Sequence, residues 1–227
     1  LGVEAGVRYD PVELSQRLAG YEADFRSRRY YEAQFGYQVA PGPDGLVVDL
    51  TLDIQTGSPV TIIFDQAQVP GSSLAELVPV AREGSIDEDL LEDSSLRVAT
   101  YLQQLGYRDA QVTHQRVDEP GQLSIVFNVE RGARYQLAEV SFSGNRNLST
   151  AVLLELVGVA PGEPLVAAKV DGGVVAVAEA YQQLGYRDVE VLPIFGEPEP
   201  LVDGDLSMPR RVRLGLEIVE GHATTVG

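Results

Sequence analysis

The chain has 227 residues, 34 of them acidic against 17 basic, for a formal net charge of −17, and it contains no cysteine. Such acidity repels phosphate backbones and anionic lipid, which sets aside nucleic-acid binding and tight adhesion to a membrane surface. The missing cysteine removes disulfides, thiolate metal sites and cysteine nucleophiles, while 44% hydrophobic residues suffice for folded domains.

In chain order, Asp10-Pro11-Val12-Glu13 opens a helix with a cap, a proline at the first helical position and an acid at the third. Leu14, Leu18, Tyr21 and Phe25 make its apolar face. A short strand follows at Ala33–Val39, then the turn Ala40–Gly45. A closing strand, DLTLDIQTG (49–57), carries apolar Val48, Leu50, Leu52 and Ile54 on alternate positions, the mark of a half-buried strand. The next stretch opens with a β-branched and aromatic strand at Val60–Phe64, then a short helix at Ser73–Val80. A longer helix runs from about Asp87 to Leu105 with Leu91, Ser95, Val98, Leu102 and Leu105 on one face. Gly106 stops that helix; a strand at Ala110–Val117, the turn Asp118-Glu119-Pro120-Gly121 and the closing strand SIVFNVERG (124–132) complete the copy. The last copy repeats the order. It has a strand at Tyr135–Phe142, a helix at Ser149–Val159, a second helix faced by Val170, Val174, Val177, Tyr181 and Leu184, and a stop at Gly185. A strand at Val189–Ile194, an irregular proline-rich loop at Phe195–Arg210 and RLGLEIVEG (213–221) follow.

The copies align without effort. QQLGYRD stands at Gln103–Asp109 and again at Gln182–Asp188, and the three closing strands superimpose without gaps. RRYYEAQF (28–35) aligns with LGYRDAQV (105–112), which puts Arg29 at the helix-stop position that glycine holds elsewhere; a left-handed cap there costs that residue about 1 kcal/mol. The expected boundaries are 1–57, 58–133 and 134–224. The first copy lacks its opening strand and most of its first helix, so the chain reads as a piece of something longer.

A strand–helix–helix–strand–strand unit repeated head to tail resembles the polypeptide-transport-associated (POTRA) domain. VERGARYQLAEVSFSGNRNLS (129–149) and LQQLGYRDAQV (102–112) are similar to segments of BamA-type outer-membrane assembly proteins. The fold class expected is α+β: tandem β-α-α-β-β domains, each a three-stranded mixed sheet covered by two helices. The resemblance implies a periplasmic array that precedes its own C-terminal membrane barrel, receives unfolded outer-membrane proteins and docks accessory assembly lipoproteins or periplasmic chaperones. The alternative family roles are a TamA-like autotransporter-assembly protein, a two-partner secretion transporter or a cell-division scaffold; at least three tandem copies argue against the last two, which typically carry two or one.

A sheet covered on one face leaves edge strands whose unpaired backbone groups can accept an extended client almost independently of its sequence. In the resembling family the exposed edge is the strand after the second helix. Here that is Gln111, Val112, Thr113, His114, Gln115 and Arg116 in the middle copy, and Glu190, Val191 and Leu192 in the last. A proline at Thr113 is expected to weaken client binding with the fold intact. No catalytic residue is assigned: there is no G-x-S-x-G, phosphate loop or dinucleotide fingerprint. No metal or other cofactor is expected, since His114 and His222 are far apart with no ligands at metal spacing.

Overall fold

The computed structural model describes residues 6–42, 47–65, 71–200 and 208–224. Residues 43–45 of the Ala40–Gly45 turn and the middle of the proline-rich loop lie outside the described residues. The chain forms two compact units, residues 1–98 with 112–129 and residues 99–111 with 130–227. One cut of this division passes through a helix, and another, between residues 129 and 130, lies beside the glycine-closed joint at Gly132.

In the first unit, α1 (Pro11–Ser27) starts where Asp10 accepts the N–H groups of Val12 and Glu13 at 2.9 and 3.1 Å. Its stop is the residue the alignment singled out. Arg29 takes φ +72°, the left-handed conformation that Gly106 and Gly185 adopt at φ +94°. Replacing Arg29 with glycine should therefore stabilise this cap by about 1 kcal/mol, read as a higher midpoint in urea; an unchanged or lower midpoint would mean that the arginine's contacts outweigh the backbone strain.

Strands β1 (Gln34–Pro41) and β2 (Val48–Gln55) pair antiparallel, Gln34 opposite Gln55. The alternation read for β2 is present, yet its inner face is poorly covered, with Ile54 46% exposed. The equivalent residues Leu123, Ile125, Phe127 and Val129 are all buried. The reason is visible in the sheets: among the described residues β1 and β2 stand alone, whereas the complete copies add a third strand.

The middle copy shows that third strand. β3 (Val60–Asp65) runs parallel to β5 (Gln122–Glu130), which takes the centre of the order β3-β5-β4, with β4 (Gln111–Glu119) at the edge. The helix expected at Ser73–Val80 is instead two short ones, α2 (Gly71–Leu77) and α3 (Val80–Glu83). Pro79 lies between them; it has no N–H to give and disfavours helical backbone at Val78. Then α4 (Glu88–Gln104) begins, burying Leu91 and Val98, while Phe64 stacks on Phe127 with ring centres 5.2 Å apart.

The second unit holds a complete strand–helix–helix–strand–strand copy. It comprises β6 (Tyr135–Ser143), α5 (Thr150–Val157), α6 (Ala167–Gln183), β7 (Glu190–Phe195) and β8 (Arg210–Val219), with sheet order β6-β8-β7. β8 is parallel to β6 and antiparallel to β7. Leu137, Leu153, Val170, Val177, Leu214 and Leu216 form the centre of its core. The helices approach closely at Gly173, where a methyl group would sit 2.6 Å from the Val157 carbonyl oxygen; at neighbouring Gly172 it would meet nothing within 4 Å. The loop expected to be irregular from Phe195 onward begins as a continuation of the ladder: Gly196 N–H donates to Arg213 O and Glu199 N–H to Arg211 O, both at 2.9 Å.

A buried carboxylate fastens this copy together. Glu220, 9% exposed, accepts the N–H groups of Arg146 and Asn147 at 2.6 and 2.9 Å and the Asn147 side-chain amide at 2.6 Å. Burial alone would raise its pKa, but these donors outweigh burial and hold it down to about 2. The Tyr181 hydroxyl, fully buried nearby, makes no hydrogen bond of good geometry; burial first, and then its proximity to Glu220, pushes its pKa up.

Candidate functional site

Every residue proposed for client capture lies on an edge strand, six on β4 and three on β7. The backbone directions of the two edges differ in consequence. Gly196 and Arg213 form a hydrogen-bonded pair, and the register Glu190 opposite Val219 continues from it. In an antiparallel ladder such pairs alternate with pairs whose groups point away from the partner. The N–H groups of residues 190, 192 and 194 therefore face β8, and positions 191, 193 and 195 face the open edge. Position 193 is proline. Its missing N–H falls in the middle of the free edge, so β7 cannot offer a full ladder to an added strand.

By the repeat alignment Pro193 corresponds to His114. The first copy has the same register, with Gln34 opposite Gln55 and Gly42 N–H on Val47 O at 2.9 Å. On β4 the outward positions are thus Val112, His114 and Arg116, with no proline anywhere along the strand. Thr113 is an inward position. By that register a proline there is expected to break the ladder to β5 rather than blunt the edge, an outcome opposite to the one expected from sequence; alternation of side chains reports which face a residue occupies and says nothing of where its N–H points.

While its N–H faces the open edge, the side chain of His114 lies on the helix-covered face of the sheet and joins β4 to α4. Its Nδ1 lies 3.1 Å from Ser95 Oγ and its Nε2 3.0 Å from Glu88 Oε1, beside the Phe127 ring at 6.2 Å. Serine, histidine and carboxylate in a row have the composition of a nucleophile relay. Here, however, Ser95 is 7% exposed and its hydroxyl donates to Leu91 O at 3.0 Å, so no substrate reaches it. The contact instead secures the edge strand to α4. Farther along, Arg116 grips Glu32 with two nitrogens, at 2.5 and 3.1 Å, and Asp118 at 3.0 Å. Hydrogen bonds to both acids raise the Arg116 pKa, and Arg116 holds that of Asp118 below the ordinary range. This clasp across the copies left no signal in the sequence, because its partners are 84 residues apart.

Among the described residues no three His, Asp or Glu side chains converge as a metal site would require, and no helix is long and apolar enough to cross a membrane. A cavity of about 260 Å³ in the first unit is lined by Glu22, Gln34, Phe35, Gly36, Asp53 and Gln55, a set without a hydroxyl, a thiol or a basic side chain.

Comparison with known proteins bears on the family. The outer membrane protein assembly factor BamA of Nitratidesulfovibrio vulgaris is 24% identical over 145 residues, covering 58% of this chain and 18% of that relative. The chain thus spans less than a fifth of that relative's length. Among solved structures, the POTRA3-5 fragment of Haemophilus influenzae BamA aligns over 94% of this chain and 82% of its own at 17% identity and TM-score 0.40. BamA of Haemophilus ducreyi lacking POTRA domains 1-3 aligns over 70% of this chain and 28% of its own at 19% identity and TM-score 0.46. The profile of the POTRA family, described as a surface antigen variable number repeat, matches residues 61–132 and 135–221, the middle and last copies. With most of its length accounted for by two consecutive matches, the chain belongs to the POTRA family.

Proposed function

We propose that this chain is the periplasmic POTRA array of a BamA-like outer-membrane assembly protein, and that it receives unfolded outer-membrane β-barrel proteins as strands added to the free edge of β4. In this reading the protein's own membrane barrel lies beyond the present residues, and accessory lipoproteins or periplasmic chaperones dock elsewhere on the array. The observation that carries the reading is the nine-residue, proline-free edge of β4 set beside an equivalent edge, β7, from which Pro193 removes a central donor. Main-chain hydrogen bonding suits a receptor that must accept many client sequences. An interrupted edge on the neighbouring copy keeps clients and other copies of the chain from pairing there. The acidic surface keeps the array soluble while leaving backbone pairing untouched.

The test exchanges the two residues. Backbone NMR of the chain, titrated with an unfolded outer-membrane-protein peptide, should show shifts along Gln111–Arg116 and little change along Glu190–Leu192. His114→Pro should abolish the first set with amide dispersion elsewhere preserved, His114→Ala, which loses the same Ser95 and Glu88 contacts but keeps the N–H, should retain it, and Pro193→His should create the second. Shifts indifferent to both substitutions would place the client somewhere other than a strand edge and end this proposal.

A further inference from the structure

The helix stops share a feature that capping does not require. At each one the carbonyl of the left-handed residue accepts the N–H of the residue three positions beyond the following closing glycine. Val60 N–H donates to Arg29 O at 2.9 Å, Tyr135 to Gly106 O at 2.7 Å, and Thr224 to Gly185 O at 2.9 Å. The closing glycine also packs each time against the acidic residue three positions after the stop. A methyl group on Gly57 would lie 3.1 Å from Glu32 Cβ, on Gly132 3.5 Å from Asp109 Cβ, and on Gly221 3.4 Å from Asp188 Cβ.

In the first two cases the acid takes a donor from the copy that follows. Glu32 holds the Arg116 guanidinium, and Asp109 accepts the Tyr135 hydroxyl at 3.3 Å. Asp188 has the same setting and no side-chain partner among the described residues. The surroundings differ accordingly. Gly106 is buried, with Pro164 Cβ 3.1 Å from where its own methyl would be, whereas Gly185 is half-buried and Leu184 is 52% exposed against 38% for its equivalent Leu105.

We propose that Gly185, Asp188 and His222–Thr224 form a docking seat for a β-strand that continues from Thr224, and that Asp188 is its side-chain acceptor for a hydroxyl or guanidinium on that following segment. Thr224 already occupies the position of Val60 and Tyr135, the first residues of β3 and β6, and Tyr186 bridges to Ala223 beside it. A strand entering here is aligned by the Gly185 carbonyl before any side chain engages. The seat is independent of client binding at β4, and either can fail without the other.

The 227-residue chain itself provides the test, through amide exchange at Thr224 followed by NMR. The Thr224 N–H should exchange at least about tenfold more slowly than an unstructured amide, as a formed hydrogen bond requires. Thr224→Tyr supplies the phenol that Tyr135 offers to Asp109 and should slow exchange by roughly a further threefold. Asp188→Ala keeps the Cβ that Gly221 packs against and should cancel that further slowing, while Asp109→Ala leaves it in place. Exchange at the unstructured rate would overturn the seat. An equal gain from Thr224→Tyr with Asp188 removed would overturn the acceptor.

Discussion

Gly173→Ala should destabilise the second unit by about 2 kcal/mol or more, while Gly172→Ala, one residue earlier on the same helix, should stabilise it by about 1 kcal/mol. Alanine improves the intrinsic helix propensity equally at both positions, so propensity cannot separate them. The neighbours do. At Gly173 the added carbon meets the backbone of Val157, with its carbonyl oxygen at 2.6 Å and its Cα at 2.8 Å, and backbone cannot rotate aside as a flexible side chain would. α5 and α6 must then separate, and Leu153, Val157, Val170 and Val177, all buried, lose contact with one another. At Gly172 nothing lies within 4 Å. Urea midpoints of the two variants should therefore move in opposite directions, and a shift of the same sign would mean that the helices are not held as close as the geometry requires.

Glu220→Ala is the other substitution with a large expected effect, a loss of about 2–4 kcal/mol. It leaves the N–H groups of Arg146 and Asn147 without their acceptor in a part-buried turn, and it opens space beside the buried Tyr181 ring. The same carboxylate predicts a pH dependence of definite sign. Its folded pKa of about 2 lies below the ordinary glutamate value near ~4.3. Its contribution is therefore complete above the unfolded pKa and drains away as the pH falls from there towards 2. Many other carboxylates titrate across that window, so the informative quantity is the difference between the wild-type protein and Glu220→Gln. That difference should be largest near neutrality and close to vanishing at pH 2; a difference independent of pH would show that the charge on Glu220 is not what holds the turn.

Repetition made the architecture legible before any coordinates. Three closing strands with apolar residues at matching offsets, and two copies of QQLGYRD, specified which segments pair with which role, and the strands and helices stand close to where periodicity put them. What stayed hidden depended on relations that a single copy does not record. Glu220 aligns with Arg131 and Thr56, so comparison of the copies marks it as variable, although it is the most heavily hydrogen-bonded carboxylate described. Gly173 looks like a helix weakness until the backbone of Val157 is found against it. Pro79 was inside a stretch whose apolar spacing suits one continuous helix. Pro193 was readable as a residue, but its effect on the edge follows from register, which decides whether the lost N–H faces the sheet or the open side. The candidate edge strands were identifiable from sequence; their inequality was not.

The placement of β5 and β8 has a consequence for how the polypeptide acquires its structure as it emerges from a membrane pore or a ribosome. In each complete copy the strand made last becomes the central one, pairing with an opening strand more than sixty residues behind it: Val60 waits for Leu123, and Tyr135 for Arg210. Until that strand arrives, an apolar segment such as VTIIF has no neighbour, and its long loop must close before the pairing returns any free energy. The copies should consequently be completed in steps, each one when its final strand appears, with exposure to aggregation greatest just before each step. Slowing delivery of residues 122–130 or 210–219 would lengthen that exposed interval, so synonymous changes or translocation pauses at these strands should cost yield without altering the finished molecule.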